Sequence, residues 1–314
     1  MIVSGGRGMA SSVFEALKQS FEIEGRRIAS CRATRAKEIR ERIQACLRDG
    51  LMDPRVHQGY FGGMKFEPPA SHGTQASLLV VATPHSRSVI VLDLPDGVVE
   101  ATIPSTYLSD RVNARNNEIL GAVLGPLGRE FEPAILPFKT LAAWAGLGVY
   151  GRDNVLRFEG MGSYARLDAW WIDAELPEAT WGPPMTLARC ATCSACLRAC
   201  PNGCFREGIF SIDASRCLTF LNEGVGDFPG WLPQRAHSAA IGCLRCQEAC
   251  PENARHRRFV ERRFVFDRQT SRAILDGRAA AALPPDAAEL IRLLELEGHE
   301  EKLARNLSTL LRAV

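Results

Sequence analysis

Three things are missing from this sequence, and each absence excludes something. Net charge is nearly absent: 38 Lys and Arg against 36 Asp and Glu leave a formal +2. No whole-molecule field therefore steers the protein toward nucleic acid or a lipid surface, and any such contact must be local. Apolar runs of membrane-spanning length, about 18 residues, do not occur. The opening MIVSGGRGMASSVF lacks the apolar core of an export signal, so the expected compartment is the cytoplasm, with no membrane partner. Cysteine is also scarce outside one window. Cys31 and Cys46 stand alone, and the other nine of the 11 fall between positions 190 and 250. A reducing compartment argues against disulfides for such a cluster and in favour of metal ligation.

What is present can build a sizeable core. The chain has 314 residues, 46% hydrophobic and 24% charged. That is enough for two or three units. SSVFEALKQSFEIEG sets Phe14, Leu17 and Phe21 on one helical face before Gly25, and a second helix is expected from Thr34 to Gly50 with Ile39, Ile43 and Leu47 inward. The basic side of that helix (Arg35, Lys37, Arg40, Arg42) reads as a solvated face. Residues 52–76, rich in Gly and Pro, read as an extended loop in which His57 and His72 have no second ligand at a fixed offset. ASLLVVATP and RSVIVLDLP, stopped by Pro84 and Pro95, read as buried strands of one sheet. A helix through SDRVNARNNEILGAVLG carries Val112, Ile119 and Val123 inward.

The next helix, PFKTLAAWAGLG, opens into VYGRDNVLRFEGMGSYARLDAWWIDAELP. The glycine-rich stretch GLGVYGRDN lets backbone approach a ligand closely, and the alternation after it suits a hairpin turning at Gly160 to Gly162. It is no dinucleotide fingerprint, because no strand feeds into it and no helix clearly leaves it.

The cysteines carry more information. Cys190, Cys193, Cys196 and Cys200-Pro201 form C-x2-C-x2-C-x3-C-P, the run of bacterial two-cluster ferredoxins. Two-residue gaps wrap a tight loop round one face of a cubane, and the fourth cysteine is expected to begin a short helix pointing elsewhere. Cys243, Cys246 and Cys250-Pro251 repeat the ending without the first cysteine, which Cys217 supplies from a distance. Because the fourth cysteine of each run serves the other cluster, Cys190, Cys193, Cys196 and Cys250 are assigned to a first [4Fe-4S] cluster. Cys200, Cys217, Cys243 and Cys246 are assigned to a second. Structural zinc pairs CxxC units across a spacer and does not use a triple run ending in Cys-Pro. Clusters with a purely structural role are the alternative. Cys204 has no ligand role and reads either as a small buried residue beside a cluster or as a spare thiol, and Cys31 and Cys46 read as core thiols.

The stretch LAAWAGLGVYGRDNVLRFEGMGSYARLDAWWIDAELP, followed by DASRCLTFL and GCLRCQEACPEN, resembles the epoxyqueuosine reductase family, relatives of the corrinoid-dependent reductive dehalogenases. The likeness runs from about residue 78 to 256. It implies an α+β fold: a nitroreductase-like sheet-and-helix domain holding base-off cobalamin (1–185), a two-cluster ferredoxin-like module (186–256) and a short helical segment (257–314). It implies that the clusters pass electrons singly to cobalt, with the second cluster nearer the glycine loop. Gly146, Gly148, Tyr150, Gly151, Arg152, Asn154, Gly162 and Ser163 inherit a cofactor-binding role, and Arg152 would pair with a corrin amide or a substrate anion.

The departures matter as well. The family's Asp-Ser-x-Pro segment, with its proton-donating Asp, is replaced by AILPFKT, so no catalytic residue is assigned. Lys139, Tyr150, Tyr107 and Tyr164 are the substitutes on offer. After residue 267 there is room for two or three helices, short of the family's tRNA-handling repeat, which argues against queuosine as substrate. The basic stretch RHRRFVERRF (255–264) suits either RNA phosphates and bases or the balancing of two anionic clusters. The expectation is an iron–sulfur oxidoreductase acting through a corrinoid on a small-molecule or nucleoside-type substrate, with a ferredoxin or flavodoxin as donor. An electron-transfer protein without corrinoid and an RNA-binding module are the alternatives.

Overall fold

The structure, a computed structural model, describes residues 5–178, 180–205 and 212–312, with side chains from residue 11 onward. Among these no helix is long and apolar enough to cross a membrane. The fold is mixed α+β and divides into two compact units, 1–84 with 110–191, and 85–109 with 192–314.

The first unit is built on β1 (Arg27–Arg32), β2 (Ser77–Pro84), β5 (Phe131–Pro133) and β8 (Ala165–Ile172), ordered β1-β2-β8-β5 and antiparallel throughout. β2 reads as an unbroken apolar run because both faces of this sheet are covered. Leu78, Val80 and Ala82 share one cluster with Ile39 and Ile43 of α2 (Arg35–Arg48) and Leu141 of α5 (Phe138–Trp144). Leu79 and Val81 share the other with Leu17 and Phe21 of α1 (Gly5–Glu22) and Ile119 and Leu120 of α4 (Asp110–Leu124). Trp170 and Trp171, adjacent on β8, split the same way, as a period of two requires. Residues 54–61 are not loop. Pro54 opens α3 (Pro54–Phe61), and the Asp53 carboxylate caps it by accepting from the Arg55 amide at 2.8 Å. Proline at the first helical position and an Asp cap before it are the ordinary way for a helix to start. The sequence signal was Asp-Pro itself, outweighed by the glycines after it. The hairpin β6 (Val149–Tyr150) with β7 (Leu156–Arg157) lies one turn earlier than expected; the chain turns again at a Phe158–Gly162 bridge.

The second unit contains β3 (Arg87–Leu94), β4 (Gly97–Ile103) and β9 (Val260–Phe266), ordered β4-β3-β9, with β9 parallel to β3. The expectation that residues 77–84 and 87–94 belong to one sheet fails here. Only His85 and Ser86 separate the runs, yet β3 pairs forward with β4 and with a strand far along the chain. Residues 257–314 do not stand apart either. Leu290 and Ile291 of α10 (Pro285–Leu293) and Leu303, Leu307 and Leu310 of α11 (Glu300–Leu311) share a core with Ile90, Leu92 and Ile103. α9 (Arg268–Leu275), capped by the Asp267 carboxylate on the Thr270 amide at 2.7 Å, adds Ile274 to it. The contacts divide the chain after Pro84, Ser109 and Ala191. The pairing of β3 with β9, distant in sequence and invisible to local pattern, decides the division. The cysteine-bearing elements of this unit are short: α6 (Ala195–Ala199), α7 (Leu218–Glu223) and α8 (Arg245–Glu248).

Candidate metal centre and glycine loop

Cys190 lies in a 3-10 turn, Ala188–Ala191, at the end of the first unit's chain. The Arg152 amide donates to its sulfur at 3.4 Å, and the Arg152 guanidinium reaches the Ala191 carbonyl at 3.4 Å. The glycine loop therefore touches a cysteine assigned to the first cluster.

In the second unit Cys196 is buried within α6, and Cys200 ends that helix in an extended conformation. The fourth cysteine does not begin a helix, as expected; it closes one. A residue before proline is driven out of the α region, so Pro201 fixes the stop at Cys200. Cys250 likewise follows α8 and opens only a 3-10 turn, Pro251–Asn253.

Past Pro201 the chain reverses at Gly203, whose φ is +59°. That is a left-handed conformation, which glycine adopts without steric cost. The reversal brings Cys204 Sγ to 3.5 Å from Cys200 Sγ. The amides of Asn202, Gly203 and Cys204 also point at Cys200. The Cys204 thiol first, and then these amides, pull the Cys200 thiol down to about 5 against the opposing effect of burial. Cys217, just ahead of α7, hydrogen-bonds with the same Cys204 and with the Thr219 amide and hydroxyl; these contacts, Cys204 foremost, hold it near 7. Cys204 itself is 3% exposed and held strongly protonated by its bonds to Cys200 and Cys217 and by burial. Burial pushes Cys243 up to about 11, and it feels the charges of Cys217 and Cys200. Ser238 Oγ lies 3.9 Å from the Cys243 sulfur.

Cys200, Cys217 and Cys243, three of the four ligands assigned to the second cluster, are thereby within electrostatic reach of one another. Among the described residues no three His, Cys, Asp or Glu side chains close on a point suited to a single metal ion.

The glycine loop packs on itself. A Cβ at Gly148 would meet the Phe158 ring at 2.8 Å, and one at Gly151 would meet Asp153 Oδ1 at 2.7 Å and Arg157 Nη1 at 2.9 Å. Gly146 and Gly162 take positive φ, and Asn154 does too at +59°. Loop amides are also used internally: Gly151 to the Val155 carbonyl, Asn154 to Gly151, Gly162 to Phe158. Glycine at 148 and 151 is thus required by the hairpin itself. Sequence reasoning missed the reason, a buried ion pair in which Arg157 Nη1 and Nη2 donate to the Asp153 carboxylate at 2.9 and 2.7 Å, the two side chains 6% and 0% exposed. The signal was legible in GRDNVLR as an acid and a base four apart. Ser163 is buried.

The substitute proton donors are each engaged or enclosed. Lys139 donates to the Asn154 carbonyl at 3.3 Å, Tyr107 to Glu223, and Tyr150, bonded to Thr140, is pushed up to about 12 by burial. Tyr164 is 2% exposed. His57 stacks on Phe61 at 6.1 Å, and His72 is buried against the Trp171 carbonyl; neither meets a second ligand among the described residues.

Comparison with known proteins agrees with this geometry. Residues 189–253 match the 4Fe-4S double cluster binding domain, so this segment is of the two-cluster iron–sulfur kind. Its likeness is to epoxyqueuosine reductases. It is 31% identical over 220 residues to that of Pseudomonas aeruginosa, covering 63% of this chain and 59% of the relative, and 34% identical over 206 residues to that of Xanthomonas campestris, covering 61% and 53%. The chain thus spans less than two thirds of these curated relatives. Epoxyqueuosine reductase from Streptococcus thermophilus shares the fold at a TM-score of 0.61 and 17% identity, over 96% of this chain and 80% of that one. An epoxyqueuosine reductase bound to an epoxyqueuosine-modified tRNA-Tyr stem loop does so at 0.60 and 15%, over 98% and 82%.

Proposed function

We propose that the protein is an iron–sulfur oxidoreductase of the epoxyqueuosine reductase type, working in the cytoplasm. Its first cluster would sit on Cys190, Cys193, Cys196 and Cys250, and its second on Cys200, Cys217, Cys243 and Cys246. The observation that carries this reading is the match of residues 189–253 to the 4Fe-4S double cluster binding domain, supported by the mutual electrostatic influence of Cys200, Cys217 and Cys243. A corrinoid is the electron acceptor that the resemblance supplies; when bound, it would provide a strong nucleophile or reductant toward the substrate. Gly148 and Gly151 offer it no bare backbone, since their open sides are filled by Phe158, Asp153 and Arg157. A corrin role for the loop therefore rests on Gly146, Arg152, Asn154, Gly162 and Ser163.

The substrate would be an oxidised small molecule or a nucleoside, reached with electrons from a ferredoxin or flavodoxin. The basic stretch supports this more than it supports a long RNA surface. It spends Arg263 on Glu100 and Arg257 on the Glu248 carbonyl, and lays Arg262 over Phe264 at 5.0 Å.

Anaerobic purification with iron and sulfide analysis should give about eight of each per chain. Titration of the dithionite-reduced protein with cob(II)alamin should show the visible and EPR change that accompanies loss of the lower nitrogen ligand. Loaded clusters without that change would leave an electron-transfer protein. Turnover of epoxyqueuosine-modified tRNA would replace the proposed substrate class.

A further inference from the structure

Cys204 is the thiol to which the two runs give no ligand role. It is 3% exposed and 3.5 Å from the Cys200 sulfur. Two thiolates on different irons of one cubane are kept apart by the cluster's own sulfides, so a sulfur this close to Cys200 cannot itself be a neighbouring ligand. A thiol can, however, donate its proton to a thiolate. Such hydrogen bonds delocalise ligand charge, favour the more negative reduced cluster and raise its potential. The Cys200 sulfur already receives the amides of Asn202 and Gly203, and the reversal at Gly203 aims the Cys204 side chain back at it.

We propose that Cys204 is a tuning residue: a buried thiol that donates a hydrogen bond to the thiolate of Cys200, and so raises the reduction potential of the second cluster relative to the first. It acts through the ligands and not on iron. In the one-electron step that takes the cluster from the 2+ to the 1+ state, the added negative charge is shared with the Cys204 S–H, and no proton need transfer. The inference rests on the reading that Cys200 ligates the second cluster.

The experiment is a dithionite titration of the full chain with redox mediators, followed by EPR, for the unaltered protein, Cys204→Ala and Cys204→Ser. Iron and sulfide are counted first. If the unaltered protein lacks two clusters, the underlying reading fails and the proposal falls with it. With two clusters present, Cys204→Ala should keep full iron and move one of the two reductions to lower potential, leaving the other where it was. Cys204→Ser, whose hydroxyl still donates, should move it less. Loss of about half the iron from Cys204→Ala would make Cys204 a ligand and overturn the proposal while leaving two clusters in the unaltered chain. So would unchanged potentials, or equal shifts of both.

Discussion

Asp153 and Arg157 show how much of this loop is settled by single residues. A bidentate pair this deeply buried has lost its water, and removing one partner strands the other charge. Asp153→Ala should lower unfolding stability by about 3–5 kcal/mol in a denaturant titration, with iron content measured alongside. If the loss were under about 1 kcal/mol, the value of an exposed pair, the Arg157 guanidinium would have to reach water. The same argument applies at Gly148 and Gly151, where glycine admits the close approach of Phe158 and Arg157 of the same hairpin. Sequence can show that space is needed at a position, not what fills it.

At the scale of the element, α11 ties the cysteine-bearing segment to the helical end of the chain. Leu303, Leu307 and Leu310 are buried, and between them Asn306 donates to the Asn222 and Ala240 carbonyls, both at 3.0 Å. Asn222 in turn donates to the Gly242 carbonyl beside Cys243. Asn306→Leu should leave the buried Ala240 carbonyl unpaired at a cost of about 1–3 kcal/mol, with the Asn222 carbonyl keeping only Arg305 at 3.3 Å, and should speed iron release to a chelator. Leu307→Ala, with the same helix and a cavity instead, should cost about 2–5 kcal/mol.

His237 lies in the same region, 4% exposed, edge-on to Phe228 at 4.5 Å. Burial, and then Arg305 and Arg312, lower it to about 4 from 6.5. Its folded value is depressed, so the unfolded chain takes up the proton first, and stability present above pH 6.5 is lost as pH falls toward 4. By pH 5 this amounts to about 2 kcal/mol. His237→Gln should flatten that part of the pH–stability curve, and an unchanged slope would mean that His237 titrates freely.

The helices at 34–50 and 110–124 and the apolar strands were legible in the sequence because their periodicity is local. The two-sheet division was not, because β9 pairs with β3 across the whole cysteine segment, and its alternation is masked by arginines on both sides. Cys204 gets no role from the sequence because that role depends on the direction of the turn at Gly203, which spacing does not encode.

On the scale of the whole molecule, the metal should matter unequally. The first unit has two full apolar clusters over a covered sheet, and residues 257–312 share a third with β3 and β4. Between them in sequence, the described residues of 192–256 contribute only a few large buried apolar side chains, among them Leu218, Ile241 and Leu244, and their α-helices run four to six residues. Helices that short are not stable on their own. What fixes them is ligation: the thiolates bind where the folded chain gathers them, so the free energy of cluster binding is folding free energy for that segment. Clusters should therefore be lost before either apolar core opens. Hydrogen exchange after air exposure or chelation should show rapid deprotection across 192–256, with β2, β8 and α11 still protected. Cys217→Ser offers a graded version, because it removes one second-cluster ligand and leaves the first set whole. It should halve the iron and deprotect α7 and the 238–244 segment, while Cys190, Cys193 and Cys196 stay loaded. Equal protection of 192–256 with and without iron would mean that packing alone holds the segment, and two intact clusters in Cys217→Ser would mean that the fourth ligand of the second cluster lies elsewhere.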